Sequence, residues 1–291
     1  MDEEILNQVS KLILKALSFT DKKNCWLSID ILNLLTLFNI RKRNHIDITL
    51  ERIFIELINY GENFENLLIS SFTNDFITKR YFNVSSSKPY VNSFSKFIFN
   101  KKYLNRTLHP FFSFYNFGFK KDNKDLNKYT DSFGNNSIFN FMIENDFELI
   151  TLGHHYVQSF TIVHHLEHII GVPYREEVSF EGKLSNDTFN TEGSYNYFLR
   201  KSDICEGSGL TFNALKKLEN FKIVKLNCLE FFKKNIYSYC VNFKDSADFI
   251  IKNHSKNCIL VDSYHSKINP NKEFVSTSDS ISLYEKLLKN I

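Results

Sequence analysis

Residues 149–175, LITLGHHYVQSFTIVHHLEHIIGVPYR, constrain the fold more than any other part of the chain. An apolar run leads through a glycine and a polar loop into apolar residues at helical spacing. Gly171, with Pro173 just beyond it, is typical of the end of a helix. The segment therefore predicts strand, turn, loop and helix in succession. Because open α/β sheets place their chemistry beyond their strand ends, it also predicts a functional site here.

Apolar runs and amphipathic repeats alternate along the rest of the chain as well, which predicts an α/β fold in a single domain. A strand followed by a helix start is expected over residues 25–37, and a helix over residues 47–60 with Asp47 as N-cap and Gly61 as its end. Further helices are predicted over residues 3–18, 137–144 (capped by Ser137), 160–170, 210–220, 229–236 and 279–291. Further strands are predicted over residues 66–73, 147–152, 174–180 and 195–200.

Composition limits the classes of partner. The net charge of +3 is too small for a nucleic-acid-binding surface, and the short basic clusters at 41–43 and 120–121 fit solvated turns. The five cysteines are widely spaced and form no CxxC pair, which predicts free thiols in a reducing cytoplasm. The N-terminal segment is amphipathic rather than continuously apolar, so we expect neither a signal peptide nor a membrane span. These features together predict a cytoplasmic protein.

Thr161, His164 and Glu167 follow one another at three-residue steps, so a helix would place them on one face. Three interpretations fit this spacing: a catalytic base with helpers, a metal site, or a polar helix face without chemistry. His164 and His168 at i,i+4, with His154 and His155 a loop away, have a spacing that can bind zinc, although no HExxH motif is present. The spacing alone leaves all three open.

The same segment resembles the aminoglycoside 3-N-acetyltransferase family, whose fold differs from the GNAT fold. That family carries an apolar strand ending in glycine, then Thr-x-x-His-x-x-Glu, then Gly-Val-Pro-Tyr-Arg. The matching residues here are Thr161, His164, Glu167, Gly171, Pro173, Tyr174 and Arg175. A second family block, Arg-Ser-x-His-Pro-x-x-Ser with a following glycine, is matched by Arg106, His109, Pro110, Ser113 and Gly118.

The similarity covers residues 50–180, with a weaker match at 67–76. The family's His-Ser loop near the cofactor is replaced by residues 26–30, and its late Gly-Ala region is not recognisable in 225–239. The resemblance implies one acetyltransferase domain over residues 1–291, folded as a three-layer α/β/α sandwich with a mixed central sheet. It also implies acetyl-CoA as co-substrate, no metal, and direct transfer to an amine; a dimer is one expected oligomeric state.

The resemblance gives His164 the role of general base, because a neutral imidazole can take a proton from an amine near neutral pH. A carboxylate on its far nitrogen would fix the tautomer; Glu167 is one helical turn on, and the distant Asp203 is the alternative. Thr161 could donate a hydrogen bond to the thioester oxygen. A covalent mechanism through a cysteine is disfavoured, since no cysteine lies in a matched block.

Four residues are predicted to bind the cofactor by the same resemblance. His109 and Ser113 lie in the loop that lines the family's acetyl-CoA tunnel, and Ser28 stands in the segment that replaces the loop near the cofactor. Arg106 could pair with a phosphate of CoA as a planar fork. The structural alternatives are a turn set by Pro110 and capped by His109, and a salt bridge for Arg106.

Two acceptors fit an amine acetyltransferase of this composition. An aminoglycoside is polycationic and calls for an acidic cleft, whereas a nucleotide-linked amino sugar, a precursor of surface polysaccharide, is anionic and suits a basic protein. The net charge of +3 favours the second. A relative without catalytic activity that only binds CoA or a partner is the alternative from another class, and a zinc hydrolase is a third.

Overall fold

The computed structural model describes residues 3–120, 122–172, 174–186, 190–200, 208–210, 224–227, 236–257 and 261–263. The predicted helices over 210–220, 229–236 and 279–291 lie outside these ranges, apart from one end residue of each of the first two. Within the described ranges, no helix has the length and apolar character needed to cross a membrane.

A mixed six-stranded sheet forms the centre of the molecule. Across the sheet its strands are β4 (Phe114–Asn116), β2 (Asn66–Ser70), β1 (Asn24–Ile29), β5 (Glu148–Leu152), β10 (Tyr237–Asn242) and β9 (Val224–Asn227). Strand β1 pairs in parallel with both β2 and β5, while β4, β10 and β9 join antiparallel. The three parallel strands are buried almost throughout, which explains why they form continuous apolar runs in the sequence.

Helices cover both faces of this sheet. They are α1 (Glu3–Leu17), α2 (Ile31–Leu37), α3 (Arg43–Gly61), α4 (Phe76–Lys79), α5 (Ser93–Asn100), α6 (Ile138–Glu144), α7 (Ile162–Ile170) and α8 (Phe243–Asn257). Successive strand residues point to opposite faces of the sheet and pack in two separate hydrophobic cores. Leu27 packs with α1, α2, α3 and α5, whereas Trp26 packs with α6, α7 and α8. The predicted three-layer sandwich with a mixed sheet is confirmed.

A long hairpin follows α7 and stands beside the main sheet. Its strands β6 (Arg175–Ser185) and β7 (Asn190–Arg200) pair antiparallel, and β3 (Tyr81–Asn83) joins β6 in parallel. A further antiparallel pair consists of β8 (Ser208–Leu210) and β11 (Val261–Ser263). The hairpin extends the two strands predicted here, and its first residue, Arg175, lies close to the end of α7.

The helix ends test the local predictions. Ser137 caps α6 as predicted, accepting a hydrogen bond from the backbone N–H of Asn140 at 3.2 Å, and Gly171 ends α7 with a φ of 75°. The prediction that Asp47 caps the next long helix is wrong, because α3 begins four residues earlier. Ile46 packs against the core there, so packing rather than a side-chain cap holds the first turn.

Candidate active site

The loop between β5 and α7 crosses the ends of the parallel strands. It begins at Gly153, whose φ of 86° lies in a region that residues with a side chain rarely adopt. The backbone there is fixed on both sides: Asn33 donates a side-chain hydrogen bond to the Gly153 carbonyl, and the Gly153 N–H donates to the Tyr237 carbonyl at 2.9 Å. A short 3-10 helix, Tyr156–Ser159, then leads to Thr161 at the start of α7.

His164 and Glu167 contact each other on α7, as their helical spacing predicts. Nδ1 of His164 lies 2.8 Å from Oε2 of Glu167. The imidazole is partly exposed, with 30% of its side-chain surface accessible, and its ring meets Phe133 edge-on. Among the residues that the structure describes, Nε2 of His164 makes no hydrogen bond. The imidazole is therefore held through one nitrogen and presents the other.

The Glu167 carboxylate is fully buried and has donors on both oxygens. The Tyr174 hydroxyl donates to Oε1 at 2.9 Å, and Nε of Arg175 lies 2.6 Å from Oε2. Buried charges persist in proteins only when they are paired and hydrogen-bonded in this way. Neither Tyr174 nor Arg175 was assigned a role from the sequence, although both belong to the matched block that follows the helix.

The two partners of Nδ1, Glu167 and Arg175, determine which nitrogen of His164 carries the proton. Nη2 of Arg175 lies 2.9 Å from Nδ1 of His164, which Glu167 also contacts. A guanidinium only donates, so Nδ1 either accepts from Arg175 or donates to Glu167. Both bonds would be charge-assisted, but the guanidinium already pairs with the same carboxylate through Nε, 2.6 Å from Oε2, and does not need Nδ1 as an acceptor. We therefore assign the proton to Nδ1, which leaves a lone pair on Nε2.

A cavity of about 550 Å³ lies beyond the ends of β1 and β2. Trp26 and Phe72 form part of its wall, together with hydroxyl and amide side chains that include Ser28, Asn92, Ser93, Ser159 and Thr161. Asp30 is the one charged side chain among its described lining residues, apart from the titratable His154. Thr161 also lines this space, and its side chain makes no capping bond to α7.

Ser28, Ser159 and His154 form a hydrogen-bonded row on the cavity wall. The Ser28 and Ser159 hydroxyl oxygens are 2.8 Å apart, and Nε2 of His154 lies 2.8 Å from the Ser159 oxygen. Burial lowers the pKa of His154 below its usual range, although the charge of Asp30 acts in the opposite direction. The sequence predicts Ser28 near the cofactor, whereas no sequence pattern points to Ser159.

The structure places Arg106 in the interior, away from the cavity wall. All three of its guanidinium nitrogens donate to the protein, among other acceptors to the carbonyls of Ser71 and Ser87. Burial lowers the pKa of Arg106 to about 10. Arg106 ties loops together through these hydrogen bonds and forms no salt bridge with any described residue, and its pairing with a phosphate of CoA stays a prediction.

Ser113 and His109 are also turned inward. Ser113 is fully buried and donates to the Ser71 carbonyl at 2.8 Å. Nδ1 of His109 accepts the backbone N–H of Phe112 at 2.9 Å, and burial lowers its pKa to about 4. Both observations favour the capped-turn alternative over direct contact with a cofactor.

The remaining histidines of this region have separate partners. His165 is buried and accepts the Gly134 N–H at 3.2 Å, whereas His168 lies 3.2 Å from a Glu177 oxygen on β6. His164 and His168 thus bind different carboxylates. Within the described ranges, no three side chains of the metal-binding types come together in a way that could hold an ion. Asp203, the alternative partner of His164, lies outside those ranges.

Comparisons with known proteins identify a family and a fold. The family model for aminoglycoside 3-N-acetyltransferase matches residues 75–241. Among solved structures, AAC-IIIb in binary complex with CoASH is 14% identical, with a TM-score of 0.61 over 85% of this chain and 95% of that one. The YokD protein of Bacillus subtilis is 15% identical, with a TM-score of 0.57 over 87% and 99%.

The aminoglycoside acetyltransferase AAC(3)-Xa is also similar in structure, with 14% identity and a TM-score of 0.58 over 88% of this chain and 98% of that one. A search of curated proteins found no match. At these identities the solved structures establish the fold alone, whereas the family model spans more than half of the chain and includes the helix that carries His164.

Proposed function

The chain belongs to the aminoglycoside 3-N-acetyltransferase family, and we propose that it acetylates the amine of an amino sugar with His164 as general base. It is an acetyl-CoA-dependent N-acetyltransferase. The observation that carries the proposal is the partly exposed imidazole of His164, bonded through Nδ1 to a buried carboxylate.

The proton step follows from this arrangement. Nε2 of His164 takes a proton from the acceptor amine as the amine nitrogen attacks the carbonyl carbon of the thioester. Glu167 steadies the imidazolium that forms, and the C–S bond breaks to release CoA as a thiolate, which the imidazolium can protonate. General-base catalysis of this kind contributes roughly 10²- to 10⁴-fold to the rate.

The 550 Å³ cavity suits the acyl-pantetheine arm of acetyl-CoA. That arm is uncharged and rich in amides, and the described walls offer hydroxyls and amides without a lysine or arginine. Phosphates need cationic partners, so the nucleotide end of CoA lies outside this cavity. Ser28 contacts the arm from the wall, and the Thr161 hydroxyl donates to the thioester oxygen as charge develops there.

The proposed acceptor is a nucleotide-linked amino sugar, a precursor of surface polysaccharide, which the net charge of +3 supports. An aminoglycoside is the second candidate, because the relative AAC-VIa has been solved with sisomicin bound.

Release of CoA, measured with a panel of amines, tests both parts of this proposal. The panel contains a nucleotide-linked amino sugar, a free hexosamine and an aminoglycoside, each with wild type, His164→Gln and the matched control His168→Gln. The control removes an imidazole one helical turn further on, where it faces Glu177. We expect a loss of about 10²- to 10⁴-fold in His164→Gln alone.

Each alternative has its own result in this assay. Wild-type turnover in His164→Gln would remove that residue from the proton step. Preference for the aminoglycoside over the nucleotide-linked sugar would reject the proposed acceptor. Binding of CoA without acetylation of any amine would instead favour a relative without catalytic activity.

A further inference from the structure

The row formed by His154, Ser159 and Ser28 lines the cavity, whereas His164 and Glu167 are not among its described lining residues. We propose that Ser159, activated by His154, accepts the acetyl group of acetyl-CoA and gives the protein an acetyl-CoA hydrolase activity when no amine is bound. This inference rests on the proposed function in one respect, namely that the thioester reaches the cavity.

The geometry is that of a nucleophile with its base. The Ser159 oxygen and Nε2 of His154 are 2.8 Å apart, within the distance at which a hydroxyl proton passes to an imidazole. Both side chains line the cavity and are only partly buried, so a bound thioester can reach them. Ser28, at 2.8 Å from the Ser159 oxygen, adds a second hydroxyl beside the point of attack.

The backbone holds both residues rigidly. The Thr151 hydroxyl donates to the His154 carbonyl at 3.1 Å, directly after the fixed turn at Gly153. Ser159 ends the 3-10 helix, and its carbonyl accepts the Thr161 N–H at 2.9 Å. A pre-organised pair of this kind needs no rearrangement before it reacts.

The protonation state of His154 also suits a base. Burial lowers its pKa, while the charge of Asp30 and the carbonyl of Leu152 counteract part of that effect. The ring is therefore neutral at neutral pH and can accept a proton at Nε2. The charge of Asp30 favours the imidazolium once it forms.

The reaction proceeds in two balanced halves. In the first, the Ser159 oxygen bonds to the acetyl carbon, its proton passes to Nε2 of His154, and the C–S bond breaks. The CoA thiolate takes the proton back from His154, which leaves free CoA and an acetyl ester on Ser159. In the second half, water attacks the ester while His154 accepts its proton, and acetate leaves as the Ser159 hydroxyl is restored.

Intact-protein mass spectrometry after rapid acid quench tests the first half. Wild type is mixed with acetyl-CoA in the absence of amine, and the mass gain of one acetyl group is assigned by peptide mapping. We expect the ester on Ser159 in wild type and in His164→Gln, and its absence in Ser159→Ala and His154→Gln. The matched control is Ser179→Ala, which removes an exposed hydroxyl on β6 that bonds to Asn196 and does not line the cavity.

Steady-state release of acetate gives the second readout. We expect Ser159→Ala and His154→Gln to lower amine-independent hydrolysis by about 10²-fold or more, and Ser179→Ala to leave it within about 2-fold. Ser159→Cys guards against misfolding, because a thiolate at this position should still take up the acetyl group. Equal hydrolysis in wild type and Ser159→Ala, with both folded, would overturn the proposal.

The small ester p-nitrophenyl acetate separates this proposal from the preceding one, since it needs no CoA site. Acetylation of Ser159 by this reagent, in a protein that transfers nothing to amines, would uphold the nucleophile and reject the amine transfer. Normal amine acetylation without any ester on Ser159 from either donor would reject the nucleophile and leave the amine transfer intact.

Discussion

Replacing Glu167 by glutamine is the sharpest perturbation of the candidate site, because it removes one charge and almost no volume. The carboxylate is fully buried and contacts His164, Tyr174 and Arg175 within 2.6–2.9 Å. A glutamine can keep its carbonyl oxygen towards the Tyr174 hydroxyl. Its amide nitrogen then faces two groups that both donate in wild type, so the arrangement must change.

The cost to stability follows from the burial of the pair. The side chain of Arg175 is only 9% exposed, and in Glu167→Gln it loses the buried carboxylate that balances its charge. Removing one partner of a buried ion pair costs about 3–5 kcal/mol. We therefore expect the free energy of unfolding of Glu167→Gln to fall by that amount in urea titrations.

The cost to activity comes through the tautomer of His164. An amide N–H placed at 2.8 Å from Nδ1 donates to it, which moves the ring proton to Nε2 and removes the lone pair that accepts the amine proton. We expect kcat to fall by about 10²- to 10⁴-fold, with the KM for acetyl-CoA nearly unchanged.

The control for both measurements is Glu177→Gln, which removes a half-exposed carboxylate beside His168. We expect it to change stability by under about 1 kcal/mol and to leave kcat near wild type. A Glu167→Gln protein that is destabilised but retains kcat within about 3-fold of wild type would refute the assigned tautomer, because the carboxylate would then only hold the fold together.

Three further predictions concern neighbouring features. Thr161→Val should lower kcat by about 10-fold or more with little change in stability, measured by CoA release, because Thr161 lines the cavity and its side chain makes no cap. Burial lowers the pKa of His165 to about 4, so between about pH 6.5 and 4 the unfolded chain binds a proton that the folded chain does not. The free energy of unfolding should therefore fall as pH drops through this range, by up to about 1.4 kcal/mol per pH unit. In urea titrations, His165→Asn should flatten that slope. Gly118→Ala would place a Cβ 2.3 Å from the Glu65 carbonyl oxygen and should cost about 1–3 kcal/mol in thermal or urea unfolding; unchanged stability would contradict the close approach.

The layers of the fold were predictable because each depends on local patterning. Apolar runs such as Asn66–Ser70 and Glu148–Leu152 are buried on both faces, so their lack of alternation identified central strands. The start of α3 was not predictable from the sequence. The packing of Ile46 against the core fixes it, and no residue pattern nearby indicates that Ile46 is packed.

In the candidate site too, contacts within one helix were predictable, whereas contacts between distant segments were not. The contact between His164 and Glu167 was predictable because three-residue spacing fixes it within one helix. The contacts of Tyr174 and Arg175 with that carboxylate depend on how β6 leaves the helix, which no spacing rule gives. The hydrogen bonds of Arg106 were not predictable for a related reason: the carbonyls that accept from its guanidinium come from distant loops that the fold assembles.

The structure shows which side chains stand at residues 26–30, where this chain departs from the family pattern. Where the family has a His-Ser loop, this chain has Ser28, and its hydroxyl bonds to Ser159, which bonds in turn to His154. An imidazole is therefore present near this strand end, but it comes from the loop after β5 instead of the loop after β1. A divergent first loop thus does not by itself argue for loss of activity, because a neighbouring loop of this chain supplies an imidazole and two hydroxyls to the same cavity.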